Sequence, residues 1–136
     1  MIVVDASALT DFLLGRPATV GALLAALDHE HDPLHAPALV EPETLNALRR
    51  LALAGAVDWT RAANAVTDLA ATRMIRYPHG FLRTRVWQLR DNLTSYDATY
   101  LALAEALEGS VLLTADRCLA EQAARSLGER RVRHVA

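Results

Sequence analysis

The chain has no lysine. All fourteen of its basic residues are arginine, alanine is abundant and isoleucine scarce, and a GC-rich genome accounts for the three biases together. The missing lysine counts against a receiver-like phosphoryl acceptor or a related metal-dependent phosphatase, which expects one near its acidic site and ranks last among the readings. Cysteine is nearly absent too. Cys118 stands alone, so no internal disulfide can form, and a reducing cytoplasm is the expected setting. No apolar run reaches the roughly 18 residues that a membrane-spanning helix needs. The opening MIVVDAS has neither a basic segment nor a long apolar one, so no secretory leader is expected. Excess positive charge is also missing. A formal net charge of −2 does not suggest a general polyanion binder, and any contact with nucleic acid must use a local patch.

What is present is a chain of 136 residues, enough for one domain with a real core, expected over residues 1–136. Its pattern alternates short β-branched or apolar runs with longer helical ones. Ile2-Val3-Val4, Leu34 to Ala36, Met74 to Tyr77, Val111 to Thr114 and Val132 to Val135 read as strands. Between them lie helices over a stretch holding Leu9, Phe12 and Leu13, stopped by Gly15 and Pro17, and over Val20 to Asp28 and Leu39 to Ala54. Further helices are expected after an Asp58 cap, from about Phe81 to Asp91, after a Ser95 cap, and over Arg117 to Leu127. Strands alternating with helices imply an α/β domain with a mostly parallel sheet and helices on both faces.

In such sheets ligands gather beyond the carboxyl ends of the strands. Asp5 closes the first strand and Asp116 follows Thr114 at the end of a later one, so both point to one edge. Each precedes a helix, where an aspartate also serves as an N-cap, and Asp97 near Ser95 is in the same position. Glu43 lies inside a helix and shares a face with Asn46 and Arg50 rather than with Leu45 and Leu48. Spacing alone does not separate it from Glu41.

Four segments, IVVDASAL, APALVEPETLNALRR, LRDNLTSYDATYLALAEAL and VLLTADRCLA, together resemble the PIN domain, and closely the VapC toxins of bacterial toxin–antitoxin pairs. They occur in the family's order and spacing and cover most of the chain, with about Asp58 to Met74 lacking a distinctive match. The resemblance implies a three-layer α/β/α sandwich around a five-stranded, mostly parallel sheet. It implies that Asp5, Glu43, Asp97 and Asp116 are the acids of an endoribonuclease dependent on Mg²⁺ or Mn²⁺, with Asp5, Asp97 and Asp116 as metal ligands. Glu43, not Glu41, matches the family's E-x-x-N-A-L pattern. Ser7, Asn46 and Thr114 match positions that line the pocket. It further implies an RNA substrate, a cognate VapB-type antitoxin and a homodimer, with no membrane attachment.

The chemistry suits these residues. Converging carboxylates repel and raise one another's pKa values, and a hard divalent ion that prefers oxygen ligands removes that penalty. Such an ion activates water for hydrolysis, leaving a 5′-phosphate and a 3′-hydroxyl. A non-catalytic RNA- or protein-binding module of the same fold is the alternative. Outside these segments, His29, Glu30 and His31 read as a solvated turn rather than a metal site. Trp59 and Trp87 are expected to pack between helices rather than stack on bases, and Cys118 to be a small core residue. The arginines at 83, 85, 90, 117, 130, 131 and 133 are candidates for guiding an RNA backbone.

Overall fold

The computed structural model describes residues 1–29 and 31–135; Glu30 of the expected turn lies outside them. Its centre is β1 (Ile2–Val4), three β-branched residues with no exposed surface, hydrogen-bonded on both sides. On one side lies β2 (Leu34–Pro37) and beyond it β3 (Met74–Tyr77); on the other lies β4 (Val111–Thr114) and then β5 (Val132–His134). The order is β3-β2-β1-β4-β5, and all four pairings are parallel, so the sheet is wholly rather than mostly parallel.

That order dictates the layers. Progress from β1 to β2 to β3 runs one way along the sheet, and right-handed crossovers put the intervening helices on one face. These are α1 (Ala6–Leu13), α2 (Pro17–Ala26), α3 (Val40–Leu53) and α4 (Trp59–Ala71). The chain then doubles back to β4 and β5, so α5 (Arg83–Gln88), α6 (Ser95–Ala106) and α7 (Arg117–Leu127) form the opposite layer. The expected three-layer α/β/α sandwich is observed. The direction of winding reverses between β1 and β4, which makes the gap beyond their carboxyl ends the crevice where such folds bind ligands.

Local chemistry explains most boundaries and several departures. Pro17 was expected only to stop a helix; it occupies the first turn of α2, where its missing N–H costs nothing. The α6 cap is Thr94, one residue earlier than expected, whose hydroxyl accepts the Asp97 N–H at 3.2 Å. The helix expected over Phe81 to Asp91 is broken into a 3₁₀ turn (Gly80–Leu82) and the short α5, because no polar side chain caps its start. Leu45 is 43 % exposed, so it does not share the buried stripe of Leu48, which runs through Val40, Thr44 and Ala52. Both tryptophans are on the surface, Trp59 59 % and Trp87 67 % exposed, against the expectation of packing. Trp59 begins α4 ahead of its Ala62, Ala65, Leu69 stripe, and α5 buries no residue fully. Cys118 is exposed as well, since α7 turns Leu119, Ala120 and Ala123 inward. In the turn before β2, His29 and His31 are exposed, as expected.

Candidate active site

Asp5 leaves β1 and caps α1, its Oδ1 accepting the Ala8 N–H at 2.9 Å. Two hydroxyls also donate to this carboxylate: Ser7 at 2.7 and 2.9 Å, and Thr114 at 2.6 Å. Each hydroxyl accepts in turn from the turn between β4 and α7, Ser7 Oγ from Ala115 N–H and Thr114 Oγ1 from Asp116 N–H, both at 2.9 Å. The backbone around Asp116 is thus locked to Asp5 through two oriented hydroxyls. Ser7 and Thr114 therefore hold the first acid rather than simply bounding a cavity. Asp116 caps α7, with Oδ1 accepting the Leu119 N–H at 2.9 Å and its other oxygen free of that bond.

The other two acids come from opposite helical layers. Asp97 sits in the first turn of α6 and Glu43 in the first turn of α3. A residue not singled out in the sequence joins them. Tyr100, only 1 % exposed, donates its hydroxyl to Glu43 Oε1 at 2.6 Å. The available signal was spacing: Asp97 and Tyr100 are three apart, which places both on one helical face. Asn46 is exposed three residues beyond Glu43 on α3. Glu41 points elsewhere and pairs with Arg76 on β3, which separates the two glutamates that spacing could not.

The electrostatics tie the four acids together. Burial pushes the Asp5 carboxyl up to about 6; the Ala8 N–H and the Thr114 and Ser7 hydroxyls pull it down, and the Asp97 charge adds to the rise. Asp97 is raised too, first by its partial burial, then by the charges of Asp116 and Glu43, with the Thr94 hydrogen bond opposing. Burial, followed by the bond to Glu43, holds the Tyr100 phenol far above its ordinary value, so it is a fixed donor.

Among the described residues, no three His, Cys, Asp or Glu side chains approach closely enough to cage an ion directly. An all-carboxylate set offers oxygen ligands, which hard divalent cations such as Mg²⁺ and Mn²⁺ prefer. Mg²⁺ keeps several waters and takes one or two carboxylates directly. The donor set fits as well, being all oxygen. Asp5 has both oxygens engaged by protein donors, so the freer carboxylates of Asp97 and Asp116 offer the more open coordination.

Comparison with known proteins bears on family and fold. The model of the PIN domain matches residues 2–125. The chain belongs to the PIN-domain family. Ribonuclease VapC9 of Mycobacterium tuberculosis is 45 % identical over 124 residues, covering 89 % of this chain and 90 % of that protein. Ribonuclease VapC1 of the same organism is 41 % identical over 119 residues, 87 % of either chain. Among solved structures, this PIN domain is similar to the crystal structure of PAE2754 from Pyrobaculum aerophilum. The TM-score is 0.68 at 27 % identity, over 98 % of this chain and 88 % of that one.

Proposed function

We propose that this PIN domain is the ribonuclease toxin of a toxin–antitoxin pair and hydrolyses RNA phosphodiester bonds with the help of Mg²⁺ or Mn²⁺. The observation that carries the reading is the Asp5 carboxylate, buried and braced by Ser7 and Thr114, with Asp97, Asp116 and Glu43 around the switch point. The likeness to proteins named VapC ribonucleases over nearly the whole chain supports it, and nothing in fold or relatives favours a non-catalytic module.

Asp97 and Asp116 would hold the ion, with Asp5 beside them directly or through water. A bound divalent ion supplies an activated water and neutralises charge on the phosphate and the leaving oxygen. The chain's own residues do the rest. Tyr100 holds one oxygen of Glu43, leaving the other to orient the attacking water and take its proton. Ser7 and Thr114 keep Asp5 fixed relative to the Asp116 turn, so the two ends of the site do not drift apart. The products are expected to carry a 5′-phosphate and a 3′-hydroxyl.

The same reading includes a VapB-type antitoxin, a homodimer and action in the cytoplasm, where the RNA substrate is. No helix among the described residues is long and apolar enough to cross a membrane. The decisive experiment is RNA cleavage by purified protein with Mg²⁺, with Mn²⁺ and with EDTA. Cleavage is expected with either ion and not with the chelator; full activity in EDTA overturns the metal-dependent mechanism. Sedimentation of the isolated toxin tests the dimer.

A further inference from the structure

Between Arg73 and Arg90 the chain carries five arginines and no carboxylate, although the whole protein is at −2. Arg76 pairs with Glu41 and Arg85 with Glu105, while among the described residues Arg83 and Arg90 form no ion pair. This basic segment forms one wall of a groove of about 450 Å³ between the 3₁₀ turn with α5 and the start of α6, lined by His79, Arg83, Val86, Trp87, Ser95 and Thr99.

The groove and the acid site share helix α6. Ser95 is two residues from Asp97 and Thr99 is next to Tyr100. Around α6, Ser95 and Asp97 lie on nearly opposite faces, whereas Thr99 and Tyr100 are about a quarter-turn apart. At its other end, His79 Nε2 accepts the N–H of Leu39, the residue that opens the Glu43 helix, at 3.0 Å. The wall also presents the exposed Trp87 side chain. Arg90 donates to the Trp87 carbonyl at 2.9 Å, and its guanidinium lies 4.8 Å from the ring centre over one face of a residue that stays 67 % exposed.

We infer that this groove is a subsite for one nucleotide of single-stranded RNA next to the scissile phosphate. Its base stacks on the Trp87 indole, and Arg83 meets the backbone. An indole accepts any base through its π-face, and an arginine without a carboxylate partner suits a phosphate. A second copy of the chain fits less well. A two-fold contact would set this arginine-rich segment against itself. The inference rests on the ribonuclease reading for its ligand, but its test reads binding rather than cleavage.

The chain has two tryptophans, so Trp59→Phe leaves Trp87 as the sole indole reporter. In EDTA, a mixed-sequence hexaribonucleotide is expected to quench its emission saturably, whereas the Trp87→Phe protein, reporting from Trp59, stays unchanged. Trp87→Ala is expected to raise KM for RNA by about 5- to 100-fold with kcat held. Arg83→Gln should reduce the slope of log affinity against log salt by about 0.7. Trp59 and Trp87 are both exposed, so none of the three tryptophan variants depends on a buried contact for folding. If RNA is cleaved but Trp87 emission does not respond and Trp87→Ala keeps KM, the subsite is overturned and the ribonuclease reading stands. If quenching occurs without cleavage under any metal, the groove stands as a binding site for single-stranded RNA and the catalytic reading falls, together with the placement beside a scissile phosphate. Conversion of a dimer to monomers by Trp87→Ala, with no response to RNA, makes the groove a contact between copies and overturns the inference.

Discussion

Asp5 is expensive to ionise where it sits, and that has a measurable consequence in the metal-free protein. Its folded pKa is about 6 against an ordinary 3.8. A raised folded value means that the native state holds the proton more tightly. The associated stability is therefore fully present below about pH 4 and lost as pH rises through 6. At about 1.4 kcal/mol per pKa unit, the loss is roughly 3 kcal/mol. Asn at this position keeps an oxygen for the Ala8 N–H and turns its amide toward the hydroxyls, without the charge. Asp5→Asn in EDTA should therefore melt several degrees higher than the parent at pH 7.5, with the gap closing toward pH 4. An unchanged gap across that range would mean that Asp5 is ionised in the fold at little cost. The same variant should abolish cleavage in Mg²⁺.

Two more residues divide cleanly at this scale. Glu43 receives the Tyr100 hydroxyl, whereas Glu41 on α3 pairs with Arg76 on the edge strand β3. Glu43→Gln should lose cleavage and Glu41→Gln should keep it within a few-fold; equal losses would place the site wrongly. Tyr100→Phe removes a hydrogen bond to a charged group worth about 1.5–3 kcal/mol. If that bond positions Glu43 in the transition state, kcat should fall at least about tenfold with little change in KM. Unchanged kcat would leave Tyr100 as packing alone.

At the scale of elements, what was legible in the sequence had a local cause. β1, β4 and α7 could be read because β-branched or apolar runs end at an aspartate that caps the next helix. Asp58 declared α4 in the same way, its carboxylate accepting the Arg61 N–H at 2.7 Å. What was not legible depended on contacts between elements. Trp59, Trp87 and Cys118 looked like core residues by type, but the helices carrying them turn smaller alanines and leucines inward. The role of Tyr100 was equally hidden, because its partner lies 57 positions away on the other helical layer. The one-residue error at the α6 cap matters for function, since the capping bond goes to the N–H of Asp97 itself. Thr94→Ala should cost about 1 kcal/mol of stability, read by denaturant unfolding. It should lower cleavage as well, and Thr94→Ser should restore both. Loss of stability with full activity would show that the cap does not orient Asp97.

Across the whole molecule, charge is distributed against function in a way that only inhibition resolves. The chain is nearly neutral, yet its switch point gathers Asp5, Glu43, Asp97 and Asp116, a strong local anion whenever metal is absent. A guanidinium or ammonium is the best non-metal ligand for such a cluster, a guanidinium being always charged and able to hold carboxylates bidentately. The amino-terminal layer offers an apolar counterpart. A groove of about 270 Å³ runs beside α1, α2 and β2, bordered by Phe12, Leu23, Leu24 and Leu27, and Leu24 is 59 % exposed. An antitoxin that inserts an arginine or lysine among the four acids and lays apolar side chains along that groove would satisfy both surfaces at once. Removing one buried, paired charge costs about 2–5 kcal/mol, so neutralising that basic residue should weaken the complex by tens to thousands of fold. Because ion and antitoxin would compete for the same carboxylates, saturating Mg²⁺ should also weaken antitoxin binding in calorimetry, and Asp116→Asn should do so without metal. Affinity indifferent to both would mean that inhibition works away from the acids, by closing the RNA path or by separating the toxin's copies.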